Sequence, residues 1–113
     1  MDKKEIEIAV KTLDEHKAED ITILDIDGLS PFASTAIVAT CLNPRSLNAM
    51  RDLLEEAYEK ESIKLTNKDG EPDSGWIVIS VPDTIIHLML EGNRRQLQLE
   101  DLLKSRGAKV GQA

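Results

Sequence analysis

The residues of this 113-residue chain best suited to chemistry are its acids, its single cysteine and its two histidines. Asp25 and Asp27 close a β-branched run at a spacing that puts both carboxylates on one strand face. With Asp83 as a third acid they form a set able to hold the paired divalent ions of phosphoryl or nucleotidyl transfer. The competing reading is that Asp25 and Asp27 open a turn before Gly28, where Asp is favoured. No Gly-Ser helix start that would cradle a triphosphate precedes the pair, and so short a motif without its structural setting is weak. Cys41 and His87 can be drawn as nucleophile and base, but a small thiol near a strand end is more commonly just buried. Asp69-Gly70-Glu71-Pro72-Asp73 alternates acids as a calcium loop does, yet Ser74 and Ser80 stand where that loop needs Gly and Glu. These patterns therefore carry no strong catalytic signature, and no metal or cofactor is expected. A metal-dependent nucleotidyltransferase using Asp25, Asp27 and Asp83 is the alternative.

The bulk properties narrow the kind of partner. A hydrophobic content of 41% is enough for one modest core. One domain over residues 1–106 is expected, followed by a frayed tail at 107–113. No run reaches the roughly 20 apolar residues of a membrane span, and the charged start is not followed by a signal-peptide core. Cys41 alone permits neither an internal disulfide nor a thiolate zinc site, which suits a reducing cytoplasm. With 14 basic and 21 acidic side chains the net charge is -7, so the global field repels phosphate. Direct nucleic-acid binding is disfavoured, whereas encounter with a basic protein is favoured.

Positioning these residues requires a small set of elements. Ile6, Val10, Leu13 and Lys17 recur at helical spacing, predicting an amphipathic helix over about Lys3 to Lys17. Asp20 to Ile26 is short, β-branched and ends at Asp27-Gly28, hence strand then turn. A second strand is expected over Ala33 to Leu42. Asn43-Pro44 supplies a cap and a first-turn proline for a helix burying Leu47, Met50, Leu54 and Ala57, with Glu55, Glu56, Glu59 and Glu61 facing solvent. Ile63 to Thr66 reads as a short strand and 67–75 as a polar connector. Trp76 to Val81 and Thr84 to Leu90 form a hairpin about Pro82-Asp83. Its pairing puts Ile77, Ile79, Val81, Ile86 and Leu88 on a core face. The other face carries Trp76, Val78, Ser80, Ile85, His87 and Met89, a mixture that an interface tolerates better. One last helix is predicted from about Arg95 to Lys104, ending before Gly107.

The hairpin and last helix resemble a known family. Gly75-Trp76-Ile77-Val78-Ile79, Asp83-Thr84-Ile85-Ile86-His87-Leu88-Met89, Arg94 and Leu99-Glu100-Asp101-Leu102 are similar to the ribosomal silencing factor pattern (RsfS, also called Iojap or YbeB). Lys17 to Asp25, Gly28-Leu29-Ser30, Arg45 and Asp52 extend the resemblance over about Leu13 to Leu103. Ser34-Thr35-Ala36, Cys41, Pro82, Leu97 and Leu103 depart from the pattern, the last two standing for its usual Tyr and Trp. The resemblance implies an α/β (α+β) fold: a single mixed sheet with flanking helices, shaped like a nucleotidyltransferase but without that signature. It also implies a homodimer that binds ribosomal protein number fourteen of the large subunit. The consequence would be steric exclusion of the small subunit and lower translation under nutrient limitation.

Together these give a candidate docking set of Trp76, Asp83, His87, Met89, Arg94 and Leu97. Trp76 and Met89 would supply buried apolar area, Asp83 a negative partner for Lys or Arg, and Arg94 a directional donor. Trp76 also reads as core filler, although Trp is enriched in binding hot spots. His87 reads equally as a packed histidine or as a contact residue. A dimeric scaffold whose sheet face serves only self-association is a third reading.

Overall fold

The computed structural model describes residues 1–111, and the last two residues of the expected tail lie outside them. Helix α1 (Lys3–Glu15) begins where Asp2 Oδ1 accepts the Glu5 N–H, at 3.1 Å. Strands β1 (Glu19–Asp25) and β2 (Thr35–Cys41) follow. Helix α2 (Pro44–Lys60) starts as its sequence demands: Asn43 Oδ1 accepts the Ser46 N–H at 2.8 Å, and Pro44 occupies the first turn, where no N–H is needed. Strand β3 (Asn67–Glu71) and a 3₁₀ turn (Pro72–Ser74) lead into β4 (Trp76–Val81) and β5 (Thr84–Leu90). Helices α3 (Glu91–Leu97) and α4 (Leu99–Ser105) and strand β6 (Lys109–Val110) complete the order.

Among the described residues six strands form one mixed sheet in the order β3-β4-β5-β2-β1-β6, in which β2 and β5 are the one parallel pair of neighbouring strands. β2 is buried at every residue, and its sequence is accordingly apolar and small without alternation, as a strand covered on both faces requires. The hairpin register is the expected one, with Val81 opposite Thr84 and Trp76 opposite Met89. Ile77, Ile79, Ile86 and Leu88 are fully buried against α1 and α2, each worth about 1.5–3 kcal/mol of transfer free energy. Ile6, Ala9 and Leu13 of α1, with Leu47, Leu54 and Tyr58 of α2, close that inner layer.

The structure departs from expectation in three places. Residues 63–66 are not a strand; the polar segment behind them is, as edge strand β3. Its residues are all exposed, so no hydrophobic alternation marked it. Gly70, at φ +90°, makes the pairing possible, because a Cβ there would collide with the Trp76 carbonyl oxygen. The last helix is two helices, broken at Gln98 in the left-handed conformation (φ 48°, ψ 44°), and the first begins at Glu91 rather than Arg95. The tail is ordered as far as it is described: Ala108 is buried, and β6 pairs Lys109 with Asp25 and Val110 with Leu24.

Candidate functional site

The two sheet faces are covered unequally. On the outer face, Leu24, Ile26, Ala36, Val38 and Met89 form a second core with Ala108, over which Leu99 and Leu103 of α4 pack. This cover centres on β1, β2 and the adjacent end of β5, with Trp76 and Ile85 packed at its margin. Farther along, the outer side chains Val78, Ser80, Ile85 and His87 remain half-buried. With the loop residue Phe32 they line a cleft of about 520 Å³.

Trp76 and His87 are diagonal neighbours on this face. The indole Nε1–H donates to His87 Nδ1 at 3.1 Å, and the rings lie 5.8 Å apart between centroids, tilted by 34°. Because indole nitrogen only donates, His87 Nδ1 must accept, and the imidazole carries its proton on Nε2. Burial pushes the His87 pKa down to about 4, so the ring is neutral near pH 7. Trp76 is half-buried, one side packed on the second core and the rest open. It is both filler and surface, where the sequence posed these as alternatives.

The remaining members of the expected docking set are not gathered here. Met89 is 0% exposed and belongs to the second core, because α4 folds over its end of β5. Arg94 is turned inward: Nε donates to Glu100 Oε1 at 2.6 Å, and its two terminal nitrogens donate to Thr40 and Thr22 hydroxyls at 2.9 Å each. Its donors thus tie α3 and α4 to β1 and β2, and the pairing holds the Glu100 carboxyl below its usual range. Asp83 sits in the β4–β5 turn, at the far end of the hairpin from Trp76. There its carboxylate accepts from the Ser34 N–H at 3.2 Å and the Ser34 hydroxyl at 2.6 Å. Leu97 is exposed at the end of α3.

The catalytic alternative finds its acids otherwise engaged. Asp25 Oδ1 accepts the Asp27 N–H at 3.0 Å, the turn-opening role, while Asp83 is bound to Ser34. Among the described residues no three of His, Cys, Asp and Glu are placed to hold a metal ion. Cys41 is buried in the inner core, which pushes its thiol up to about 11, and His87 lies on the opposite sheet face. They cannot act as nucleophile and base.

Sequence reasoning missed Phe32 and Glu5. Phe32, the chain's only phenylalanine, is 82% exposed, and its position just after Ser30-Pro31 was the available signal. Glu5 is 3% exposed in the apolar stripe of α1; its Oε1 accepts the Asp83 N–H at 2.9 Å and the Thr84 hydroxyl at 3.0 Å. Burial raises its carboxyl above the usual range.

A single mixed sheet with α1 and α2 packed over one face and α4 over half of the other is an α+β domain. The family model described as "Ribosomal silencing factor during starvation" matches residues 1–112, and the chain belongs to that family. The ribosomal silencing factor RsfS of Haemophilus influenzae is 31% identical over 97 residues, covering 86% of this chain and 95% of that protein. The Bacillus subtilis RsfS is 24% identical, over 86% of this chain and 82% of its own length. The chloroplastic protein Iojap of Arabidopsis thaliana is 31% identical over 85% of this chain but only 40% of that protein. A solved structure from Chromobacterium violaceum superposes with a TM-score of 0.85 at 23% identity, covering 92% of this chain and 88% of that one. A Bacillus halodurans structure gives 0.79 at 21% identity, over 89% and 94%.

Proposed function

We propose that this protein silences ribosomes as a non-enzymatic docking factor. It seats the open half of its outer sheet face on the large subunit, at ribosomal protein number fourteen, and so excludes the small subunit. Translation falls under nutrient limitation as a result. The observation that carries this reading is the half-buried Trp76–His87 pair at the margin of the outer sheet face, beside the part that α4 leaves open. Exposed aromatic anchors backed by packed neighbours are what binding hot spots are made of. The family's silencing of ribosomes during starvation supplies the setting. The net charge of -7 suits a basic ribosomal protein better than RNA. A cytoplasmic homodimer belongs to the same reading, its self-association readable by sedimentation velocity.

The test is cosedimentation with purified large subunits, followed by addition of small subunits. Wild-type protein is expected to travel with large subunits and to reduce the joined fraction; Trp76→Ala is expected to do neither. Wild-type protein that binds large subunits while joining proceeds undiminished would sink the steric mechanism.

A further inference from the structure

The open face is bordered along β3 by acidic residues, and its apolar cleft has a wall contributed by a distant loop. Residues opposed across an antiparallel pair share a face. Asp69 lies opposite Val78 and Glu71 opposite Trp76, so both carboxylates stand on the outer face beside the cleft. The alternate residue Lys68 confirms the orientation, since its Nζ reaches Glu55 of α2 at 3.1 Å on the inner side. No outward-facing position of β3, β4 or β5 is Lys or Arg, and His87 is held neutral. The charged strand positions of this half of the face are therefore all acidic.

Phe32 closes the opposite side. Its ring is 82% exposed while its backbone is fixed: the Phe32 N–H donates to Ser30 Oγ at 3.1 Å, Pro31 precedes it, and Ala33 behind it is buried. A large ring on a held backbone is presented at little further entropic cost, which is what an anchor needs. With Val78 and Ile85 it gives the cleft its apolar lining.

We infer that this cleft binds a basic segment of a protein partner: an apolar side chain enters between Phe32, Val78 and Ile85 while flanking Lys or Arg pairs with Asp69 and Glu71. This rests on the docking reading above for the choice of face, and adds the chemistry of what the face accepts. RNA is disfavoured because the same acids repel phosphate. A second copy of this chain is disfavoured because it would bring the same two carboxylates against themselves.

The experiment uses the full chain and purified large ribosomal subunits, with cosedimentation across a salt series. It compares wild type, Phe32→Ala, Asp69→Lys/Glu71→Lys and Trp76→Ala, each checked for folding by circular dichroism. All three altered positions other than Trp76 are exposed, so they should leave the fold intact. Phe32→Ala and the double reversal are each expected to weaken binding roughly tenfold. The deficit of the reversal should shrink as salt rises, while that of Phe32→Ala should persist. A double reversal that tightens binding would identify a phosphate contact and overturn the inference. If Phe32→Ala instead abolishes self-association in sedimentation velocity and leaves subunit binding unchanged, the occupant is a second copy and the inference fails. Loss of binding in Trp76→Ala alone would reject this chemistry and leave the docking reading standing. Wild-type binding in all three variants would reject both.

Discussion

Replacing Arg94 separates a clamp from a contact. The Arg94 side chain is 12% exposed and its partner Glu100 22%, and the guanidinium also satisfies the hydroxyls of Thr22 and Thr40. Removing one member of a fully buried ion pair costs about 3–5 kcal/mol. This pair keeps some access to water, which lowers the figure, while the two lost hydroxyl bonds add about 0.5–1.5 kcal/mol each. Arg94→Ala is therefore expected to cost about 2–4 kcal/mol, a large part of the 5–15 kcal/mol typical of a domain. Arg94→Lys should recover less than half, since a point charge cannot bond Glu100 and two hydroxyls as the planar fork does. Urea unfolding of Arg94→Ala, Glu100→Gln and the double variant gives the coupling, expected at about 1–2 kcal/mol. The pH dependence has a fixed sign. Glu100 is held below its usual range, so its contribution is present above the unfolded carboxylate pKa and is lost as pH falls through the lower folded value. The penalty of Arg94→Ala should shrink over that acid window. An Arg94→Ala protein as stable as wild type but unable to bind large subunits would show that Arg94 is a surface contact after all.

Trp76→Ala should cost about 1.5–3 kcal/mol of stability, below the 3–5 of a fully buried tryptophan because the ring is half open, and should weaken subunit binding about thirtyfold. Thermal unfolding together with cosedimentation checks it, and a wild-type affinity in a folded variant would remove Trp76 from the face. His87 is a base whose folded pKa is depressed to about 4, so its contribution is complete above its unfolded pKa near 6.5 and is lost as pH falls toward 4. Urea midpoints from pH 7 to 4 should decline less in His87→Gln than in wild type, and parallel declines would contradict the assignment. Glu5→Ala should cost about 2 kcal/mol by stranding the Asp83 N–H and the Thr84 hydroxyl. Glu5→Gln should cost about 1 kcal/mol or less near neutral pH, because an amide oxygen can still accept both hydrogen bonds and burial, which raises the Glu5 carboxyl pKa, already disfavours the charge. A Gln variant as damaged as the Ala one at pH 7 would show that the charge itself is needed.

What the sequence disclosed follows from which forces are local. The cap at Asn43, the proline at 44 and the period-two hairpin from Trp76 to Leu90 act over a few residues, so the α2 start and the β4–β5 register were legible. β3 was not: a fully exposed edge strand has no buried side chains to write an alternation, and its polar, glycine-containing residues read as a connector. The α3–α4 break at Gln98 was hidden because no Gly or Pro marks it; it is accompanied by long-range bonds from Arg94 to Thr22 and Thr40 and by the Arg94–Glu100 bond that spans it. The same bond, and the burial of Met89 beneath α4, decided which expected docking residues reached the surface. Trp76 and His87 were placed on one face by pairing alone, but the hydrogen bond that fixes the His87 tautomer depends on the side-chain rotamers, which pairing does not set.

The unequal cover of the sheet joins fold to function. α1 and α2 seal the inner face, whereas α4 and the segment from Ala108 reach across only half of the outer one. An apolar half-sheet ending in a free edge strand invites strand pairing and aggregation unless something opposes it. β3 opposes it with Lys68, Asp69 and Glu71 at the edge, and with Gly70, whose positive φ departs from a regular strand. The acids that keep this edge from meeting its own kind are, on the outer face, those beside Val78 and Trp76. On the reading proposed above, a single pair of carboxylates repels an identical surface and attracts a basic one, so the residues that guard the sheet edge also select the partner.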